Sequence, residues 1–338
     1  MSHSKRLPYL DILKGLGILL VILGHSVPDY PINLRADVVS ATLESVIYGF
    51  HMPLFFICAG YLLQMTDGIS GDRNGRNISS DWFSKKAKRL LIPYAAFSFF
   101  SLVLRWIFSA FTRSSVDIGR GIYGIIFEGK YFWFLYVMFI VLATIKVFKT
   151  QKIKIRWQYL IAVVFYLIGL YIQSPFMCFD RLGYYLIYTL LGMTIYDNKD
   201  NVDKLFSKWY TPWAMVCIFI IFYTLRLSDY LLLKEFCRFG MAVTGVGVTY
   251  HISVWINNNC KTIKNLLSYF GKMSLQYYLV HMIIQLPIYY LVAKFNFHIP
   301  ILSVLLIFLI TTVLTYFIVE VMSLIPICRT VLGLPSKK

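Results

Sequence analysis

In the run Asp11-Ile-Leu-Lys-Gly-Leu-Gly-Ile-Leu-Leu-Val-Ile-Leu-Gly-His25, an acid, a base and an imidazole share one strongly apolar stretch. Ionisable groups in hydrocarbon are costly, so where they occur they pair or perform chemistry. On a helix, Lys14 and His25 fall within roughly 20° of one face, about 16 Å apart along the axis, and Asp11 lies within roughly 40° of that face. One helix then presents a charged foot and an imidazole head to the same neighbour. A second histidine, His51, stands in Gly49-Phe-His-Met-Pro-Leu-Phe-Phe. Pro53 donates no N–H and crowds the carbonyl four residues earlier, which predicts a kink or opening around His51. Glu44, seven residues before His51, shares its face within roughly 20° at about 10 Å. His25, His51 and Glu44 are therefore candidate catalytic residues. For His25 the competing reading is an interfacial residue solvated by headgroups. For His51 it is a ring bonded to the freed carbonyl.

A third histidine closes Ser274-Leu-Gln-Tyr-Tyr-Leu-Val-His281. Ser274, Tyr278, His281 and Gln285 follow a 4-3-4 spacing, a polar stripe on an otherwise apolar helix. In lipid such a stripe must face protein or a water-filled cavity, and helix–helix hydrogen bonding is its plainest use. Lys85-Lys-Ala-Lys-Arg89 is a basic cluster at the start of another apolar run. Its lysines and arginine anchor topology and touch anionic lipid, and they also match the phosphates of a cytosolic ligand. Glu235 and Arg238 can pair at three residues' separation, with Arg226, Asp229, Asp180 and Arg181 near the same membrane surface. The plain reading is a structural ion pair; the alternative is a polar rim around an outward-facing cleft, which with nearby tyrosines and tryptophans suits a carbohydrate. His3, His251 and His298 stand at the terminus, near a span end and in a loop, and carry no such pattern.

The elements that must position these groups are membrane spans. The chain is 58% hydrophobic and only 14% charged, far from a soluble composition. Windows of about 17–25 apolar residues predict ten helices, at approximately 8–27, 43–65, 89–111, 131–148, 157–173, 178–196, 209–225, 231–256, 274–293 and 299–325. The sixth and eighth are interrupted by charges at their starts. The fold class is all-α, a polytopic helical membrane bundle with both termini on one side, and residues 1–338 read as a single transmembrane domain. With the amino terminus cytoplasmic, inside loops carry 22 Lys or Arg and outside loops 8, which orients both ends inward. The net charge of +17 thus reflects topology, not nucleic-acid binding. The Gly-rich stretch Asp67 to Arg76 reads as a cytoplasmic connection. Six scattered cysteines suggest neither a disulfide framework nor a zinc site. Phosphate-binding glycine loops, G-x-S-x-G and H-E-x-x-H are all missing, which argues against a nucleotide-driven pump or a zinc protease.

In this order the segments Tyr9 to His25, Phe50-His-Met-Pro-Leu-Phe-Phe-Ile-Cys-Ala-Gly-Tyr61, Arg89-Leu-Leu-Ile-Pro-Tyr94, Tyr131-Phe-Trp-Phe-Leu135 and Ser274 to His281 resemble the acyltransferase family 3 membrane proteins. The nearest group by resemblance is the fucose 4-O-acetylase-like O-acetyltransferases. The resemblance implies an enzyme of about ten spans that moves an acyl group, typically acetyl, from cytosolic acetyl-CoA to a hydroxyl of a cell-envelope glycan or lipid-linked sugar. It implies a multi-pass protein of a bacterial plasma membrane, in contact with membrane lipid and needing no metal. Lys14 stands where the family has an arginine separated by ten residues from the histidine matched by His25. A lysine keeps the charge and loses the planar fork. Lys86-Ala-Lys-Arg89 stands for an R-x-x-R pattern, and Ala59-Gly60 for a Ser-Gly turn. Lys14, Lys86 and Arg89 are then expected to meet the phosphates of coenzyme A, and His25 to act as base or acyl carrier. The rival classes are a polysaccharide exporter and a structural partner of an envelope-polymer synthase. The first predicts paired broken helices or a pseudo-symmetric repeat, and neither is evident.

Overall fold

The computed structural model describes residues 7–69, 80–109, 116–295 and 299–335. His3, His298 and most of the Gly-rich connection lie outside these residues. The described residues form helices without strands: α1 (Pro8–His25), α2 (Val38–Tyr48), α3 (His51–Ile69), α4 (Ser80–Ile107), α5 (Ile118–Phe127), α6 (Trp133–Thr150), α7 (Ile155–Ile172), α8 (Phe179–Asp197), α9 (Lys199–Phe206), α10 (Thr211–Leu225), α11 (Leu231–Asn259), α12 (Lys261–Lys272), α13 (Ser274–Phe295), α14 (Pro300–Leu324) and α15 (Pro326–Val331). Each apolar window read from the sequence holds a helix among the described residues. Among the described residues eight helical segments are long and apolar enough to cross a membrane, or nine if one bent pair counts as a span. That pair is α9 with α10, which meet at 91°. Helix α10 is only 15 residues long. Helix α8 has the length but not the apolarity, and Asp180 sits in its first turn.

The chain divides into two compact units. The first comprises Met1–Cys58 and Asp197–Val319. In it α1 is flanked by α2, α11, α12 and α13. The tightest crossing is between α1 and α12. A Cβ on Gly15 would lie 2.1 Å from the Leu267 carbonyl oxygen, and one on Gly271 only 1.7 Å from that of Asp11. Both positions therefore require glycine, the small-residue route to close helix approach. Ile12, Ile256 and Leu267 fill this contact. At the opposite end, Val27, Leu34, Ile288, Val292, Val304 and Ile307 form a second apolar core.

The second unit comprises Ala59–Tyr196 and Glu320–Lys338. Here α4 packs on α5, α6 and α15. Gly60 of α3 meets α8 so closely that its Cβ would stand 1.9 Å from the Thr189 carbonyl oxygen, which explains the glycine of the Ala59-Gly60 pair. Lys149 pairs with Asp67 at 2.5 Å and donates to Gln64 Oε1 at 2.8 Å. Pairing and hydrogen bonding together make a nearly buried ammonium tolerable.

Candidate active site

His25 is the last residue of α1, and the helix end is fastened from α13. The last carbonyls of a helix have no partner within it. Two of them are met by residues four apart on α13: Gln285 Nε2 donates to Ile22 O at 3.2 Å, and the Tyr289 hydroxyl donates to His25 O. Ser26 Oγ also donates to Ile22 O, at 2.7 Å. The predicted stripe on α13 thus faces α1, and Tyr289 extends it by one more turn. The clamp brings His281 beside His25, with ring centroids 5.6 Å apart. His281 is fully buried, and its Nδ1–H donates to Tyr277 O at 2.8 Å. Its Nε2 has no hydrogen-bond partner. The Tyr278 ring lies 5.9 Å from that of His281, and Ser274 begins the helix.

The other side of His25 is built by α2 and α3. Asp37 caps α2, accepting from Ser40 N and Ser40 Oγ, both at 2.8 Å. These bonds hold the Asp37 carboxyl below the usual range. Gly24 lets α1 approach this helix, since a Cβ there would stand 3.2 Å from Ile47 Cγ2. Helix α2 ends at Tyr48, residues 49–50 turn, and α3 restarts at His51, which is the opening expected from Pro53. The buried His51 ring donates Nδ1–H to Ile47 O at 2.9 Å. The carbonyl is one turn back, two residues before Gly49. Tyr48 stands between the two histidines: its ring centroid is 4.9 Å from that of His51 and 5.9 Å from that of His25. The Tyr48 hydroxyl bonds His25 Nδ1 at 3.1 Å. With its proton on Nδ1, His25 donates to the Tyr48 oxygen and keeps a lone pair on Nε2. In the other tautomer Tyr48 donates.

Glu44 is placed differently from the spacing argument. Its buried carboxylate turns to Arg35, which donates Nε–H to Oε2 at 2.8 Å and Nη2–H to Oε1. That bonding raises the Arg35 pKa above its ordinary value. The Arg35 side chain is 48% exposed and that of Glu44 only 11%, so the pair screens the carboxylate from the outside.

The basic residues are divided between the two units. Lys14, in the first unit, pairs with Asp11 at 2.8 Å on the same helix as His25. In the second unit Lys86 Nζ lies 5.7 Å from the Trp82 ring centroid and Lys146 Nζ 5.9 Å from it. Arg89 is exposed. Glu235 and Arg238 pair at 3.4 Å and line an open cleft of about 410 Å³ with Arg226, Ser228, Asp229 and Lys234. Among the described residues no group of three or more His, Cys, Asp or Glu is arranged to hold a metal ion.

The structure therefore gathers His25, Tyr48, His51 and His281 into one cluster and gives Glu44 to Arg35. Sequence reasoning missed Tyr48, Tyr289 and Arg35. The first two were legible as the residue one turn before His51 and as the next member of the α13 stripe. No spacing signal marks Arg35. Chemically, the cluster offers a half-buried imidazole, His25, and two buried ones, His51 and His281, with their Nδ1 atoms held by hydrogen bonds, leaving Nε2 for proton or acyl transfer.

The pattern of one protein family, described as an acyltransferase domain, matches residues 7–320. No curated protein and no solved structure matches the chain.

Proposed function

The chain belongs to the acyltransferase family 3 membrane proteins, and from that premise we propose an O-acyltransferase that acetylates a cell-envelope sugar. The donor is cytosolic acetyl-CoA, and the acceptor is a hydroxyl of a polysaccharide or lipid-linked sugar at a bacterial plasma membrane. The observation that carries the reading is His25, fixed at the end of α1 by Gln285 and Tyr289 with a second imidazole beside it. Its Nε2, with Nδ1–H donated to Tyr48, takes the proton of the acceptor hydroxyl as the oxygen bonds the acyl carbon. The carbon–sulfur bond then breaks, and the thiolate of coenzyme A recovers a proton. A covalent variant has His25 Nε2 carry the acyl group between donor and acceptor.

Lys14, Lys86 and Arg89 are the proposed contacts to coenzyme A phosphates, because ammonium and guanidinium groups pair with phosphate by charge-assisted hydrogen bonds. Lys14 and His25 lie on one unbroken helix, eleven residues apart. The roughly 16 Å this implies is of the order a pantetheine arm must span. Arg35, Glu44, Glu235 and Arg238 offer polar groups to an acceptor sugar. The test is transfer of radioactive acetyl from acetyl-CoA to purified envelope glycan by the protein in detergent. Labelling of the protein without acceptor identifies the covalent variant. If neither thioester loss nor glycan labelling occurs with folded protein, the exporter or scaffold reading replaces this one.

A further inference from the structure

We propose that His281 is the second imidazole of a proton-transfer pair with His25. Its Nε2 holds the transferred proton between removal from the acceptor hydroxyl and delivery to the departing thiolate. The inference rests on the acyl-transfer reading above and assigns a chemical role within it.

Three observations carry it. His281 is fully buried, yet its Nε2 has no hydrogen-bond partner. An unpaired buried acceptor is destabilising, and a leucine or methionine here would leave none. Secondly, the Nδ1–H bond to Tyr277 O fixes the tautomer, so Nε2 presents a lone pair and can only accept. Thirdly, the nearest imidazole is that of His25, 5.6 Å away between centroids, with the two rings inclined at 38°. His51 shares the first constraint through Ile47 O, but Tyr48 stands between it and His25. The polar neighbours on α13 are occupied: Gln285 serves Ile22 O and Tyr289 serves His25 O. The clamp that fastens α1 to α13 thereby sets the separation of the two rings.

The steps balance without another reagent. The hydroxyl O–H bond breaks, its proton goes to His25 Nε2, and the oxygen bonds the acyl carbon. The carbon–sulfur bond breaks with its electron pair on sulfur. The proton passes from His25 Nε2 to His281 Nε2 and then to sulfur, which leaves both imidazoles neutral.

His281→Asn is the discriminating variant. Its amide N–H₂ can still donate to Tyr277 O, but nothing replaces Nε2. The expected result is a fall in kcat of about 10²-fold. KM for acetyl-CoA and for the glycan should stay within about twofold, the pattern of a loss confined to the transition state. A proton inventory in mixed H₂O and D₂O should be linear for the unmodified protein, with one proton in flight in each step, and curved for the variant, in which bulk water must take over the relay. An asparagine variant with near-normal kcat and an unchanged inventory would show that His281 only holds α13 in place. If thermal unfolding shows the asparagine variant misfolded, His281→Gln is read by the same inventory. Loss of this inference alone appears as an active protein with an equally active variant. An unmodified protein that transfers no acetyl removes the parent reading as well.

Discussion

Replacing Tyr48 by phenylalanine removes one oxygen and leaves both ring contacts, at 4.9 Å to His51 and 5.9 Å to His25, in place. What disappears is the hydrogen bond of 3.1 Å to His25 Nδ1. A neutral hydrogen bond contributes about 0.5–1.5 kcal/mol net. Tyr48 is exposed and His25 is half-buried, so water can take over part of the bond. The loss should sit at the lower end, about threefold in kcat, since about 1.4 kcal/mol corresponds to tenfold. Tyr48→Ala should lose more, because the ring that separates His25 from His51 goes with the hydroxyl. The assay is initial rate of acetyl transfer under saturating donor and acceptor, with donor affinity measured separately and expected to be unchanged. A phenylalanine variant with the full rate would show that Nδ1 needs no orienting partner. A loss of a hundredfold or more would mean that Tyr48 acts directly on substrate, and the division of roles argued here would fail.

Two further outcomes follow from charge. Reporter fusions after residues 75 and 150 should read cytoplasmic and those after 120 and 228 external, given the 22-to-8 distribution of Lys and Arg; inverted signals in both pairs would turn the basic cluster away from cytosolic donor. Lys14→Ala and Arg89→Ala should weaken coenzyme A binding, while Lys14→Arg retains it, as titration of the folded variants would show. Unchanged affinity in both alanine variants would leave these residues as membrane anchors only.

Apolar windows made the helices legible, because spanning segments must satisfy their backbone internally and so announce themselves by length and composition. The 91° break between α9 and α10 was not, since the charged residues 197–208 read as a loop and only 209–225 read as a span. His25 and the α13 stripe were legible because each shares a face of its own helix with other polar groups. Arg35 and Glu44 were not: the arginine sits in a single 3-10 turn, where helical spacing has no meaning, and it draws the carboxylate from His51, the partner assigned by that spacing. The contact between His25 and His281 depends on residues 256 positions apart. Only the packing of α13 on α1, through Gln285 and Tyr289, creates it.

The measurement closest to the central claim is acetylation of envelope glycan by the His25→Ala protein, scored beside expression, membrane insertion and thermal unfolding. A base contributes about 10²–10⁴-fold, and an acyl carrier more. The account predicts a folded, inserted protein whose transfer falls by at least that factor, with coenzyme A still bound. A well-folded His25→Ala protein that acetylates its glycan at close to the original rate would contradict it.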